Sequence, residues 1–351
     1  MNQNAIRNIK FSSLNLDDNF FSSLKKDYPD FIRWFKRKTL SGESAYVLID
    51  HEKIKGFLYL KEESDVDNTI VPSFSLKRRL KIGSFKIDAH GTIVGHRFLS
   101  IIFQKMLNEE YSEAYATLFE KQQALVDLFE KFGFIRYGKK QNGELVYLKS
   151  LKSQKNIYKD FPLINPYGKK WLLAIWPKYH TKIFPDSQLT TEKQHIIEDL
   201  SVTNTIEKIY MCSMSTVLHM TPGDLIVIYR TKDGNATSGE YSSVATSICT
   251  VVEIKKVNQF NTEREFINYC KKGSIFSDKE LKDFYESRRY PNIIKLLYNF
   301  PLKKRIIRKK LISDVELPRN AYWGCLEIDS FQFSKILEIG EINENFVVHK
   351  T

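Results

Sequence analysis

Residues Lys81 to Phe134 read KIGSFKIDAHGTIVGHRFLSIIFQKMLNEEYSEAYATLFEKQQALVDLFEKFGF. Ile82, Phe85 and Ile87, with Leu80 just before them, are the apolar content of a strand, and Gly83 falls where a bulge is expected. Gly91 and Gly95 mark a turn, and from about Val94 the spacing of Ile101, Ile102, Met106 and Leu107 predicts a helix with a buried face. EAYATLF reads as a second short strand, and QQALVDLFEK as a second helix, closed by Gly133-Phe134. Strand, turn and helix in that order aim the backbone N–H groups of a helix start at something anionic, which the helix dipole also favours.

Upstream, Phe20, Leu24, Phe31, Trp34 and Phe35 fall at roughly helical spacing, interrupted by Pro29 and stopped by Gly42. SAYVLIDHEKIKGFLYLKE predicts a hairpin with its turn near His51–Lys53, and ESDVDNTIVPS a loop. Downstream, FIRYGKK and ELVYLKS complete a mixed α/β sheet over residues 1–150. Residues 151–167, with Pro162, Pro166 and no clear period, read as a linker. From 168 to 351 the pattern changes to short strands (KWLLAIWP, IEKIYMCS, DLIVIYRT, SSVATSICTVVEIKKV, NIIKLLYNF) with helices at REFINYCKK, DKELKDFYESR and SFQFSKILEIG. That mixture predicts a small β-barrel domain with helices.

A chain of 351 residues exceeds one ordinary core, which agrees with two domains. Hydrophobic residues at 42% and charged residues at 27% exclude a disordered chain. No apolar run approaches the ~18 residues a membrane span needs, and MNQNAIRNIKFSSLN lacks the apolar core of a secretory signal. Cys212, Cys249, Cys270 and Cys325 are scattered without a C-x-x-C, so reduced thiols, no metal site and a cytoplasmic location are expected. The net charge of +12 favours polyanionic partners. Residues 1–150 hold 24 Lys and Arg against 19 Asp and Glu, or +5, which leaves +7 for residues 151–351. The densest basic run is KKRIIRKK, Lys303 to Lys310.

The helix-then-Gly-Phe ending LVDLFEKFGF, the final strand in NGELVYLKS and the loop before the first helix resemble the acyl-CoA-binding half of the GCN5-related N-acetyltransferases (GNAT). The resemblance covers about residues 1–150. In that family the loop is Arg/Gln-x-x-Gly-x-Gly/Ala; here it reads His90-Gly91-Thr92-Ile93-Val94-Gly95, with only Gly95 kept. The resemblance implies acetyl-CoA as co-substrate, held by Phe85, Ile87, Ile93, Val94, Gly95, His96 and Arg97. It also implies a proton acceptor for the amine and a proton donor for the departing thiolate. Many family members supply the donor from a Tyr at the position of Phe129, whose ring has no proton to give. Asp88 and Glu120, at the ends of the two strands that would splay around the thioester, are the catalytic candidates, and Tyr115 is expected in the core.

KKWLLAIWPKYHTKIFPDS (Lys169 to Ser187), TPGDLIVIYRT (Thr221 to Thr231) and SVATSICTVVEI resemble the PUA-like superfamily, particularly its ASCH and EVE branches. The Pro222-Gly223-Asp224 turn stands where that superfamily enters a barrel strand. The ASCH signature Gly-x-Lys-x-x-Glu-x-Arg is absent, and His180 to Ser187 occupies its region. The resemblance implies an RNA or modified-base ligand, stacked on aromatic faces while basic residues follow the backbone. Trp176, Lys178, Tyr179, Ser213, Tyr229 and Arg230 are the candidate contacts, with Met214, Arg288, Arg289 and the Lys303–Lys310 run as further ones. The competing reading puts Trp176 and Tyr229 in a barrel core and makes KKRIIRKK a charge-guarded edge strand.

Together the resemblances imply an N-acetyltransferase joined to an RNA- or modified-base-binding domain. Two other readings stay open: a GNAT fold without turnover that serves as a nucleic-acid-binding module, and a toxin-like acetyltransferase acting on a protein or a charged tRNA.

Overall fold

The computed structural model describes residues 5–88, 93–187, 205–232, 234 and 238–349, and these divide into two compact units between Ser150 and Leu151. In the first unit the order is β1 (Ile6–Lys10), α1 (Ser22–Asp27), α2 (Phe31–Leu40), β2 (Ser44–Asp50), β3 (Lys53–Glu63), β4 (Ile70–Val71), β5 (Arg79–Ile87), α3 (Val94–Asn108), β6 (Glu113–Leu118), α4 (Gln123–Lys131), β7 (Ile135–Lys140) and β8 (Leu145–Ser150). The eight strands form one mixed sheet in the order β1-β2-β3-β5-β6-β8-β7-β4, with β5–β6 its parallel pair. The hairpin turn falls at His51-Glu52, both at positive φ, as a two-residue connection matched to strand twist requires.

Local chemistry explains these elements. In α2, Phe31 and Phe35 share a buried face and join Phe11, Phe21 and Phe57 in an aromatic cluster of edge-on and tilted rings. The helix stops where Gly42 takes φ +67°. In α3, Phe98, Ile102 and Met106 lie one turn apart and are buried beside Leu99 and Phe103. The Gly-Phe ending is a helix stop: Gly133 takes φ +80°, the Phe134 N–H donates to the Phe129 carbonyl at 3.0 Å, and the two rings lie 4.6 Å apart. That carbonyl bond and apolar contact are what a left-handed C-terminal cap provides. Tyr115 is buried, as expected mid-strand.

The second unit holds α5 (Ile157–Asp160), β9 (Lys170–Ile175), α6 (Pro177–Ile183), β10 (Glu207–Cys212), β11 (Leu225–Arg230), α7 (Gly239–Ser242), β12 (Val244–Lys256), α8 (Glu263–Cys270), α9 (Asp278–Ser287), β13 (Asn292–Ile307), α10 (Arg308–Ser313), β14 (Cys325–Ile328) and α11 (Ser330–Ile339). Its six strands run β10-β13-β12-β11-β9-β14, with β9 and β11 parallel. Among the described residues no closed barrel is found: the terminal strands β10 and β14 do not pair. Three register shifts between β12 and β13 bend the sheet. The Tyr210 hydroxyl of β10 donates to the Ala174 carbonyl of β9 at 3.3 Å.

Residues 151–167, read above as a linker, fold with the second unit. Phe161, Leu163 and Ile164 are buried, and Asn299 Nδ2 donates to the Pro162 and Leu163 carbonyls at 3.2 Å. Ile164 also bridges Val347. Among the described residues no helix is long and apolar enough to cross a membrane.

Candidate functional site

In the first unit β5 and β6 pair only over Leu80–Ile82 and Ala114–Ala116, although β5 continues to Ile87 and β6 to Leu118. The cause lies at Gly83, which has no partner between Tyr59↔Ser84 and Leu60↔Ile82. A Cβ there would stand 2.8 Å from the Tyr59 ring, so only glycine lets that ring lie against the bulge. Beyond the bulge the strands part around a cavity of about 390 Å³. Ser84 and Phe85 line it from β5, Thr117 and Leu118 from β6, and Tyr28, Phe31 and Trp34 from the α1–α2 region.

The helix α3 begins just past the end of β5. Its N-cap residue, Ile93, has no side-chain oxygen to accept the first-turn N–H groups, and no acidic residue sits in that turn. Such a terminus is electrostatically matched to an anion. Of the residues expected to hold acetyl-CoA, Phe85 lines the cavity, while Ile93, Val94, Gly95, His96 and Arg97 form the N-cap and first turn. Ile87 ends β5, half-buried. His90, Gly91 and Thr92 lie outside the described residues. Gly95 has a packing role of its own: a Cβ there would meet Leu128 Cδ2 of α4 at 2.8 Å. Arg97 is buried, and His96 packs edge-on against Phe132 at 5.1 Å.

The two carboxylates proposed for catalysis stand outside the cavity wall. Asp88 is exposed and ion-paired with Lys86 at 3.2 Å, and Glu120 is exposed in the turn after β6. Phe129 is fully buried under the helix stop. Two other carboxylates line the cavity, exposed Asp30 and buried Glu144, and the sequence reading singled out neither. Glu144 accepts hydrogen bonds from Thr117 Oγ1 at 3.1 Å and Asn142 Nδ2 at 2.8 Å. Burial, reinforced by the charge of Glu144 and a hydrogen bond to it, pushes the Tyr28 phenol well above its ordinary range. The other charged groups in the wall are Asp30, 3.6 Å from Arg33, and Lys140, 3.5 Å from Asp67.

The second unit has a cavity of about 320 Å³. Trp176, Lys178, Tyr179 and Ser213 line it, so four of the six residues singled out there come together. Trp176 is exposed, and the Lys178 ammonium lies 4.6 Å from the Tyr179 ring centre. Tyr229 and Arg230 do not join them: β11 runs between β9 and β12, both its faces are buried, and Tyr229 packs on Trp323 at 5.2 Å. The wall is completed by Tyr210, Phe276, Tyr290 and Tyr322, none of them singled out in the sequence, and by Arg289. A Cβ at Gly324 would fall 2.3 Å from the Tyr322 ring, so the ring occupies space that only glycine leaves.

The Lys303–Lys310 run divides between the end of β13 and α10. β13 lies between β10 and β12, but the β10 ladder covers only Asn292–Leu297; among the described residues the basic end of the strand pairs with β12 alone, at Ile306 and Ile307, and Lys303 and Lys304 are exposed. Arg308 stacks on Trp323 at 4.4 Å and Lys309 bonds to Tyr241 at 3.1 Å. Deeper in the unit, His180 Nε2 lies 2.9 Å from Thr246 Oγ1. Burial, with the Arg230 and Arg305 charges nearby, pushes its imidazole down to about 3.

The sequence matches no protein-family model and no curated protein. Solved structures similar to parts of it are of two kinds. An ASCH protein from Zymomonas mobilis is 11% identical, with 49% of this chain and 95% of that one covered and a TM-score of 0.32. An N-acetyltransferase from Campylobacter jejuni in complex with acetyl coenzyme A is 15% identical over 42% of this chain and 98% of that one, TM-score 0.27. A GNAT family acetyltransferase from Elizabethkingia anophelis with acetyl-CoA bound is 13% identical over 43% and 100%, TM-score 0.28.

Proposed function

We propose that the first unit transfers the acetyl group of acetyl-CoA to an amine, and that the second is a PUA-like module that binds RNA or a modified base. The observation that carries the first half is the parting of β5 and β6 at Gly83, followed directly by a helix start. Among the described residues the β6-facing edge of β5 has no strand partner past Ile82, so its backbone groups suit an amide-bearing arm. The first turn of α3 suits phosphates. Acetyl-CoA supplies an activated thioester. The chain's own residues have the remaining work: admitting the amine, orienting it and taking up its proton. Asp88 and Glu120 flank the cavity's strands as proton acceptors reached from solvent.

A second reading, the fold without turnover, draws support from Phe129, whose buried ring leaves the proton-donor position unfilled. For the second unit, aromatic rings beside Lys178 and Arg289 suit a stacked base next to phosphate. Four buried thiols are compatible with the reducing cytoplasm. The experiment is incubation of the full chain with radiolabelled acetyl-CoA and an amine panel, followed by assay of free thiol and labelled amide. Stoichiometric thiol and amide support transfer; acetyl-CoA binding without either product supports the binding-module reading.

A further inference from the structure

The wall of the first cavity holds a buried carboxylate without a cation. Glu144 is 6% exposed, and among the described residues it has no ion-pair partner; Lys140, in the same wall, is 3.5 Å from Asp67 instead. Its neighbours are neutral donors: Thr117, Asn142 and the Tyr28 phenol. A carboxylate offers about four lone-pair positions, and the two side-chain hydrogen bonds, from Thr117 and Asn142, leave others for a ligand donor. A buried charge held only by neutral groups is costly, and a ligand cation relieves that cost. The rest of the wall suits the body of such a ligand. Tyr28, Phe31 and Trp34 line it, with the Phe31 and Trp34 rings 5.4 Å apart and tilted by 33°. Aromatic faces both cover apolar surface and attract a cation.

We propose that this cavity selects a hydrophobic primary amine in its ammonium form, with Glu144 pairing the ammonium and Tyr28, Phe31 and Trp34 covering the apolar body. The assignment of that ligand as the acetyl acceptor rests on the acetyl-transfer reading; the binding specificity does not. The test is calorimetric titration of the full chain with phenethylammonium chloride and, as the uncharged counterpart, phenethyl alcohol. The ammonium should bind about tenfold or more tighter than the alcohol. Glu144→Gln should abolish that preference while acetyl-CoA binding stays within about twofold of wild type. Tyr28→Phe, which keeps the ring and removes one donor, should keep the preference. Equal affinity for ammonium and alcohol in the wild type overturns the proposal, whether or not Glu144→Gln folds. So does a preference that survives in a Glu144→Gln protein with a wild-type melting curve. Absence of acetyl-CoA heat, with a Glu144-dependent ammonium preference intact, would overturn the acetyl-transfer reading and support this binding site.

Discussion

The two cavities are close in size, about 390 and 320 Å³, and both are walled with aromatic rings, yet the first wall holds Asp30 and Glu144 beside Lys140, while the charged groups in the second are Lys178 and Arg289. In the first unit the buried charge is the Glu144 carboxylate, beside Tyr28, Phe31 and Trp34. In the second the cations are Lys178 and Arg289, beside Trp176, Tyr179 and Tyr210. Aromatic walls alone do not distinguish a ligand, because a ring face accepts apolar bodies, bases and cations alike. The charge beside the rings makes the distinction. On the readings proposed above, that difference separates a cationic acceptor in the first cavity from a nucleic-acid ligand in the second.

The largest expected effect falls on the helix start in the first unit. Val94→Glu places a carboxylate where the helix dipole tolerates it but phosphates are repelled, and it leaves Gly95 against Leu128 undisturbed. At about 100 times its Kd a ligand stabilises the folded chain by about 2.7 kcal/mol. Acetyl-CoA should therefore raise the wild-type melting temperature and leave that of Val94→Glu unchanged. The matching cut in the second unit is Trp176→Ala, expected to weaken single-stranded RNA binding by about 1–3 kcal/mol in a filter-binding assay. Arg289→Ala should reduce the slope of affinity against salt. If either change weakened acetyl-CoA binding equally, the division of labour would fail.

A smaller effect concerns acid stability of the second unit. His180 is held at about 3 against an ordinary 6.5, so between those values the unfolded chain carries its proton and the folded chain does not. Stability therefore falls as pH drops through that window, by up to about 1.4 kcal/mol per pH unit. His180→Gln should flatten that slope in urea melts between about pH 6 and 4. The smallest effect is Gly133→Ala: at φ +80° a side chain is strained, and a loss of about 1 kcal/mol in denaturant melts is expected, without change in ligand preference.

Residues 81–134 were legible because their signals are local. The bulge at Gly83, the periodic face of α3 and the Gly133-Phe134 stop each depend on neighbours a few residues away. Glu144 was not legible: Asn142 bonds it locally, but Thr117 reaches it, and it joins the cavity wall, only when β8 pairs with β6. Tyr210, Phe276, Tyr290 and Tyr322 come from segments spread over more than a hundred residues, and only the sheet gathers them. Tyr229 and Arg230 misled for a different reason. A strand buried on both faces has no alternation to show which side chains reach a surface. Barrel closure was equally hidden, since it depends on whether β10 and β14 meet rather than on any strand's own pattern.

If the parted strands and the α3 start form an acyl-CoA site, calorimetric titration of the full chain with acetyl-CoA will show one site of micromolar affinity in the wild type and its loss in Val94→Glu. No heat up to millimolar acetyl-CoA, from protein with a cooperative melting transition, would contradict that site.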